Sequence, residues 1–530
     1  MHARSGKDSP ALVVARILLG CLAAGAALAV AELVRAVLHV RVHPVAAVGE
    51  EVVERTPGAL AELAIDLVGT WDKPLLLGGI VAVVALVGAL AAVLAARSAV
   101  WPAVLVGALG VLGTLAALAR PGAASADALP VVAGTLAWLL ALALLLSPLH
   151  TARPSEEPGD AAAEGPGSGG STRRTVLVRA GAVAAAGLVA AAVGRSVSRA
   201  REVVEATRRL VRLPATRGTP PPGADLLRDL REVGAQPWRT PADDFYRIDT
   251  ALVVPTIDPE QWQLRIHGLV EREIVLGYDD LATMELTQAW ITLCCVSNPV
   301  GGDLVGNAWW SGVRVADLLA RAGVRPDADA VLQTSQDGWT CATPLTALTD
   351  DRNALVALAM NGEPLPLEHG FPARMVVPGL FGYVSATKWL VDLEVTRFAE
   401  VEAYWTERGW AEEGPVRTMS RIDVPRSGTD LPAGPITIAG VAWAQHTGID
   451  RVEVRLDGGP WVAARLGAVP TGPGRDDTWV QWRAEVDAPA GDHLVTVRAT
   501  DRSGSTQTSV RRDVVPDGAT GWHEVDFSTS

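Results

Sequence analysis

Five long apolar stretches in the first 195 of the 530 residues constrain the fold of this chain most strongly. Each is long enough to cross the hydrocarbon core of a bilayer, ~30 Å thick, as a helix that rises about 1.5 Å per residue. The sequence therefore predicts an N-terminal all-α transmembrane bundle of about five helices. The predicted spans are Ala11–Val30, Leu75–Ala96, Ala99–Ala119, Val131–Leu149 and Val176–Gly194.

Paired arginines, Arg173 and Arg174, precede the fifth stretch. This pattern is similar to a twin-arginine signal, which directs folded proteins out of the cytoplasm. Arginines also flank ordinary membrane helices on the cytoplasmic side, and this second interpretation stays open. With the arginines inside, five crossings predict that Met1 is cytoplasmic and that everything after Gly194 lies on the extracytoplasmic side of the cell membrane.

The composition changes several times along the chain. Residues 1–150 hold the first four predicted helices, and residues 151–195 hold a Pro-, Gly- and Glu-rich cytoplasmic loop, Thr151–Gly170, followed by the fifth helix. Residues 196–236 are predicted to be a linker, in which Arg199–Leu213 forms a short amphipathic helix and Pro220–Pro222 keeps the chain extended.

The polar half of the chain is predicted to contain two domains. Residues 237–410 mix strands such as Trp262–Gly268 with short helices such as Val315–Ala322, which predicts an α+β domain. Residues 415–527 contain alternating segments separated by Gly, Pro and Asp turns, which predicts a C-terminal β-sandwich. These segments are Ile436–Trp443, Arg451–Leu456, Trp479–Val486 and His493–Thr500.

Charge and cysteine content exclude some classes of function. The net charge is −13, which argues against a nucleic-acid partner because nucleic acid requires a basic surface. Four cysteines in 530 residues do not make a disulfide framework. A single bridge between Cys294 and Cys341 stays open at this stage.

The thiol of Cys295 is the most informative single group. A soft thiolate is a ligand that a high-valent metal takes from a protein. His369, Arg374 and Lys388 follow it in the same domain, and such residues bind the phosphate of an anionic cofactor. Together they indicate a thiolate-ligated molybdenum site.

The region from about Asp243 to Phe527 resembles the sulfite oxidase family of molybdopterin-dependent oxidoreductases. The resemblance implies one molybdopterin (Mo-molybdopterin) in the α+β domain, followed by an immunoglobulin-like dimerisation domain and therefore a homodimer. The similar motifs occur in the family's order. They are Phe245-Tyr246-Arg247, Thr292–Asn298, Trp310–Val313, Met360–Pro366, His369–Arg374, Val377–Gly379, Thr387–Trp389, Gly440–Trp443, Arg451–Val454 and Asp517–Gly521.

The resemblance implies roles for individual residues. Cys295 is the metal ligand and catalytic residue, because it precedes Asn298 by three positions as in the family's Cys-x-x-Asn pattern. Arg374 and Lys388 hold the phosphate, and His369 binds the pterin or the phosphate. Further cofactor contacts are expected from Asp243, Tyr246, Arg247, Asp337, Ala386 and Thr387.

Each of these residues also has a simpler structural interpretation. Buried cysteines usually pack as small apolar side chains, an isolated histidine is usually structural, and Asp337 before a glycine is typical of a turn. This chain also departs from the family pattern at one point. Animal and plant sulfite oxidases place arginines after Cys-x-x-Asn, whereas this chain has Pro299, Val300, Gly301 and Gly302. A doubly charged sulfite needs charged donors, so this loop puts sulfite in doubt as the substrate.

The sequence favours a membrane-anchored molybdenum oxidoreductase that transfers oxygen and two electrons with a small-molecule substrate. Reduction of an S-oxide or N-oxide is as compatible with the motifs as oxidation. No haem-attachment pattern occurs in the sequence, so the electron acceptor is expected to be a separate cytochrome or quinone-linked protein. The alternative is a membrane-tethered scaffold that keeps the fold without the cofactor.

Overall fold

The computed structural model describes residues 10–38, 40, 43–56, 67–68, 71–120, 125–150, 168–211, 230, 233–469 and 474–530. The chain divides into two compact units. The first is Met1–Val203 with Thr250–Val253, and the second is Val204–Asp249 with Val254–Ser530. Residues 151–167 of the predicted cytoplasmic loop and the Pro220–Pro222 run lie outside the described residues.

The described part of residues 1–203 is mostly helical. Five helical segments are long and apolar enough to cross a membrane, and each overlaps one of the predicted spans: Pro10–Val37, Asp72–Leu94, Val100–Leu118, Ser125–Ser147 and Arg174–Ala192. The helices are α1 Pro10–Val37, α2 Pro44–Arg55, α3 Asp72–Leu94, α4 Val100–Leu118, α5 Leu129–His150 and α6 Ser168–Leu210.

Small residues allow α1 to approach its neighbours closely. A Cβ atom added to Gly20 of α1 would overlap the carbonyl of Gly88 on α3. One added to Gly134 of α5 would lie 2.9 Å from the carbonyl oxygen of Ala27 on α1. Close backbone approach through Gly and Ala is how helices gain packing energy where no water drives their association.

Helix α6 is longer than the sequence interpretation predicted. It continues past Gly194 to Leu210, so the predicted boundary at residue 195 falls inside a helix. Its C-terminal part, as far as Leu210, takes up most of the separate amphipathic helix predicted at Arg199–Leu213, and residues 212–213 lie outside the described residues. No proline occurs between Gly194 and Pro214, and one glycine costs only about 1 kcal/mol in a helix, so nothing local ends it.

The α+β domain contains two five-stranded sheets. Strands β2-β1-β10-β5-β6 form the first, and β3-β4-β7-β8, with β9 also paired to β7, form the second. The predicted helix Val315–Ala322 is confirmed, as is the strand that ends at Gly268. The strands are β1 Gln263–Gly268, β2 Ile274–Gly277, β3 Thr287–Cys294, β4 Val305–Arg314, β5 Ala330–Ser335, β6 Thr340–Pro344, β7 Leu355–Met360, β8 Glu363–Pro364, β9 Arg374–Val376 and β10 Leu390–Thr396; the helices are α7 Tyr278–Ala282, α8 Val315–Ala322 and α9 Leu345–Thr349.

The C-terminal domain consists of two further sheets that share one hydrophobic core, and all four predicted strands are present. The strands are β11 Met419–Val424, β12 Thr429–Leu431, β13 Gly434–Trp443, β14 Ile449–Leu456, β15 Val462–Ala463, β16 Arg465–Leu466, β17 Val480–Ala488, β18 Gly491–Asp501 and β19 His523–Thr529. The sheet orders are β11-β13-β17-β16 and β12-β19-β18-β14-β15. Ile438 and Trp482 from the first sheet pack in one cluster with Val454, Val497 and Phe527 from the second.

Gly440 is the tightest point of this core. A Cβ atom there would overlap the carbonyl of Arg421 on β11 and lie 3.0 Å from the Trp482 ring. We expect Gly440→Ala to lower the free energy of unfolding by about 2–3 kcal/mol, because the added methyl group overpacks the core. Thermal unfolding of the full chain measures the change. Leu494→Ala, on an exposed position of β18, is the control and should cost well under half as much; equal losses would contradict the packing account.

Candidate functional site

Cys295 directly follows strand β3 and begins a closed loop. The Cys295 N–H donates to the carbonyl of Leu304 at 2.9 Å, and the Asn298 N–H donates to the carbonyl of Cys295 at 3.1 Å. The Asn298 side chain accepts the Leu304 N–H at 2.9 Å, which closes the loop from inside. Asn298, part of the Cys-x-x-Asn pattern, therefore fixes the loop that carries the thiol.

The two neighbouring thiols lie in different environments. Cys294 is 2% exposed and donates to the carbonyl of Cys295 at 3.4 Å, and burial raises its pKa. Burial also raises the pKa of Cys295, but the backbone N–H groups of Val296 and Ser297, the Ser297 hydroxyl and the charge of Lys388 act in the opposite direction. A hydrogen bond with Asn298 and the charge of Arg421 also act against the shift at Cys294, whereas the Cys295 sulfur is the one on which the Lys388 charge acts.

The open question of a Cys294–Cys341 bridge is settled in the negative. All four cysteines lie among the described residues and all are free thiols. Cys341 is fully buried and its sulfur forms a hydrogen bond with the Thr387 hydroxyl, at 3.3 Å.

Arg374 begins strand β9 and is 4% exposed. Its guanidinium donates to the carbonyls of His369, Ala386 and Met375 at 3.2–3.3 Å and lies over the Trp310 ring. Burial lowers its pKa to about 10, so the group stays charged at neutral pH. Within the described ranges no carboxylate forms an ion pair with it. Burying a charge without a counter-ion costs free energy, so a bound anion would stabilise the protein at this position.

His369 lies beside Arg374 and is 5% exposed. Its Nε2–H donates to the carbonyl of Ala242 at 2.8 Å, since a carbonyl can only accept. Burial, reinforced by the charges of Arg374 and Lys388, lowers its pKa to about 4, so the ring is neutral at pH 7. Its Nδ1 therefore carries a lone pair, and this atom is buried without a hydrogen-bond partner.

Gly370 allows these groups to come together. Its φ is +108°, and a Cβ atom there would lie 3.0–3.1 Å from Cβ of Arg374 and from Cα and Cβ of Lys388. Only glycine adopts this backbone conformation readily. The segment that holds His369 therefore packs directly against both cationic residues.

Lys388 has a partner that the sequence interpretation missed. Its ammonium donates to Oδ2 of Asp249 at 3.0 Å, and the Nε of Arg247 donates to the same oxygen at 3.0 Å. Burial lowers the pKa of Lys388 to about 8, while Asp249 opposes the shift. A buried lysine requires a counter-ion, and this rule is the one signal that could have directed attention to a carboxylate near Tyr246 and Arg247 in the sequence.

The other predicted residues differ in how closely they join this group. Burial raises the pKa of the Tyr246 hydroxyl well above the ordinary value. The charge of Cys295 raises this pKa further, and the charge of Arg374 lowers it. Ala386 accepts from Arg374 through its carbonyl, and Thr387 lies next to Lys388. Asp243 is exposed in the turn that supplies the Ala242 carbonyl. Asp337 accepts the Trp339 N–H at 3.3 Å in the turn between β5 and β6.

Two family models match the chain in succession. The oxidoreductase molybdopterin binding domain covers residues 251–405, and the Mo-co oxidoreductase dimerisation domain covers residues 416–529. The uncharacterized oxidoreductase YuiH of Bacillus subtilis is 34% identical over 157 residues, which are 30% of this chain and 76% of that protein. The chain belongs to the sulfite oxidase family of molybdopterin-dependent oxidoreductases.

Mitochondrial sulfite oxidases are also similar. The proteins of Macaca fascicularis and Homo sapiens are 30% and 29% identical over 289 residues, which are 46% of this chain and 53% of each relative. The chain thus spans about half the length of these curated relatives. The solved structure of sulfane dehydrogenase SoxCD from Paracoccus pantotrophus matches 54% of this chain and 80% of that one, with 25% identity and a TM-score of 0.46.

Family membership implies a molybdopterin, and the residues present fit this group. The buried Arg374, which no carboxylate among the described residues pairs with, fits an anionic phosphate. The unpartnered Nδ1 of His369 fits an N–H donor, of which a pterin has several. The Cys295 sulfur, surrounded by N–H donors and a nearby ammonium, fits a metal-bound thiolate. The donor set therefore offers one soft ligand, one acceptor and two cations.

The pKa of His369 predicts a specific pH dependence for the cofactor-free protein. The folded pKa of about 4 lies below the ordinary value of 6.5, so the unfolded chain binds a proton that the folded chain does not. Stability should therefore be lost as the pH falls from 6.5 towards 4 and should not depend on this group above pH 7. His369→Gln should remove about 1–3 kcal/mol of that loss.

Thermal unfolding of the full-length chain between pH 4.5 and 7.5 measures this difference. His523 is the matched comparison, because burial lowers its pKa to about 4 as well. His523→Gln should remove a separate share of the same loss, and the two effects should add. An unchanged pH slope in His369→Gln would show that the ring is not held neutral.

Proposed function

We propose that this chain is a membrane-anchored molybdenum enzyme of sulfite oxidase type that exchanges electrons with a separate redox partner, which is an acceptor if the substrate is oxidised and a donor if it is reduced. The observation that carries the proposal is the grouping of Cys295, His369, Arg374 and Lys388, with a buried guanidinium that no described carboxylate neutralises. Structural packing alone does not account for this grouping, because a purely structural arginine at 4% exposure would be expected to have an anionic partner.

The proposed roles follow from the chemistry of each side chain. When bound, the molybdopterin supplies two-electron oxo transfer. Cys295 would be the protein ligand to the metal, and the Ser297 and Val296 N–H groups would stabilise its thiolate. Arg374 and Lys388 would hold the phosphate, and Nδ1 of neutral His369 would accept a hydrogen bond from the pterin.

The remaining predicted contacts are proposed as supporting ones. Tyr246 and Arg247 lie on the segment beside Cys295 and Lys388 and would flank the cofactor. The backbone at Ala386 and Thr387 would meet the phosphate end. Asp243, in the turn that supplies the Ala242 carbonyl, and Asp337, in the turn between β5 and β6, would add contacts to the pterin.

The loop after Cys295 favours a substrate with less negative charge than sulfite. Residues 299–302 carry no arginine, and Arg421, which donates to the carbonyl of Gly302 at 2.9 Å, is paired with Asp423 at 2.7 Å. We therefore propose a neutral S-oxide or N-oxide as the substrate, which would be reduced, with release of water, by two electrons that the separate redox partner donates. Turnover of sulfite and of S-oxides by the purified chain, with artificial electron carriers, tests this choice directly; faster turnover of sulfite would reject it.

Replacing the proposed metal ligand tests the function itself. Cys295→Ser should lower turnover by at least about 100-fold, because a hydroxyl is a poor substitute for a soft thiolate, and should leave the unfolding temperature within a few degrees. The measurements are turnover, molybdenum per chain and thermal unfolding of the purified full-length protein.

Cys294→Ser is the matched control for this substitution. The Cys294 thiol donates to a carbonyl, which a hydroxyl also does, so molybdenum content and turnover should stay near those of the wild type. Retained turnover in Cys295→Ser with normal molybdenum would contradict the ligand assignment. A molybdenum content near zero in the wild type, purified from molybdenum-replete cells, would favour the cofactor-free scaffold instead.

We also propose that the five apolar helices anchor the chain in the cell membrane, with the residues after Gly194 on the extracytoplasmic side. Export after folding would let the cofactor be inserted in the cytoplasm first. The match to a dimerisation domain supports a homodimer, and we propose the predicted immunoglobulin-like fold for the two-sheet C-terminal domain.

Arg173 and Arg174 allow the two interpretations of the fifth helix to be separated. Changing both to lysine keeps the positive charge that orients a membrane helix but removes a twin-arginine signal. We expect the double variant to lose most export, measured by protease access to the catalytic half in spheroplasts. Unchanged access would show that charge alone orients the helix.

A further inference from the structure

Asp249 is shared between a buried and an exposed cation. Its Oδ2 accepts from Lys388 at 3.0 Å and from Arg247 at 3.0 Å. The Asp249 and Lys388 side chains are 6% and 9% exposed, whereas that of Arg247 is 42% exposed. The carboxylate thus has an alternative cation at hand if the lysine moves away.

The surrounding charge favours such a movement. Arg374 and Arg247 both act on Lys388 to disfavour its charged form, so the ammonium lies among like charges. The three cations exceed the one carboxylate by two charges, and His369 is neutral at pH 7. An anion with two negative charges, such as a phosphate monoester, would balance this group.

Breaking a buried ion pair is costly only if it leaves a charge without a partner. Here Asp249 would keep Arg247, and Lys388 would gain the anion. The exchange therefore leaves neither Asp249 nor Lys388 without an oppositely charged partner. A pair with no second cation nearby would instead lock Lys388 in place.

We propose that Asp249 is an exchangeable counter-ion: it holds Lys388 in the cofactor-free enzyme and releases it to the anionic group of the incoming cofactor. This inference rests on the proposed function, since it takes the phosphate of the molybdopterin as the anion. Asp249 thereby stabilises the empty site and competes with the cofactor for Lys388. It is a positioning residue, because it acts through the lysine.

Inorganic phosphate is the probe that tests this exchange without catalysis. Thermal unfolding of the detergent-solubilised, cofactor-free full-length chain is followed against phosphate concentration, with chloride at equal ionic strength as the reference. Asp249→Asn should lower the unfolding temperature without phosphate. It should also lower the half-saturating phosphate concentration about fivefold, because the competing carboxylate is gone. An equal or higher half-saturating concentration would overturn the proposal.

Lys388→Gln keeps the test decisive if Asp249→Asn does not fold. Asp249 retains Arg247 in that variant, so the chain should fold, and the half-saturating phosphate concentration should rise about fivefold. An unchanged value would overturn the exchange. Asp350→Asn is the control, because it removes a carboxylate paired with Arg352 away from this group. A fall in the phosphate requirement there as large as in Asp249→Asn would assign the effect to net charge and reject the proposal.

Molybdenum content separates this result from the proposed function. If phosphate responds as expected while protein from molybdenum-replete cells contains no molybdenum, the counter-ion exchange stands and the molybdenum enzyme does not. If molybdenum is bound but the phosphate response of Asp249→Asn equals that of the wild type, the reverse holds.

Discussion

The positive charge buried at Arg374 is the constraint on which the site depends. The guanidinium is held by three carbonyl groups and by the face of Trp310, which orient it but do not neutralise it. Leaving such a charge inside a protein costs several kcal/mol, so the fold keeps it only where another energy term offsets the cost. Under the proposed function, binding of an anionic cofactor would provide that term. The cofactor-free site would then be less stable than the same site with an apolar residue, and the cofactor would bind more tightly.

Local backbone features place the other groups around this charge. Gly370, with its positive φ, brings the His369 segment against Arg374 and Lys388. The bulky Trp389, directly after Lys388, also has a positive φ of 51° and is fixed by its indole N–H on the carbonyl of Leu367. A bulky residue in this conformation is strained. The strain is tolerated at the position that points the lysine towards Asp249.

Periodic patterns and motifs predicted many of the helices and strands, whereas pairings between residues far apart in the sequence could not be predicted from it. Helix α8 and the strands of the C-terminal domain follow from alternation and turn residues, which are local properties. Asp249 was missed because its partner is 139 residues away in sequence, and only the folded chain brings Lys388 to it. Helix α2 was missed because Glu50 and Glu51 interrupt its apolar pattern. Helix α6 continues beyond the predicted boundary at residue 195 because a change in composition does not by itself end a helix.

Motif recognition identified Arg374 and His369 but could not assign their charge states, which depend on burial. The same cations that attract a phosphate also keep His369 neutral, since a protonated ring beside Arg374 and Lys388 would be repelled. Neutrality, with Nε2–H committed to Ala242, leaves Nδ1 as an acceptor. One end of the group then recognises anions and the other recognises an N–H donor. If the phosphate of the cofactor meets Arg374 and a ring N–H group meets Nδ1 of His369, as proposed above, these two contacts together would favour one orientation of the cofactor relative to Cys295.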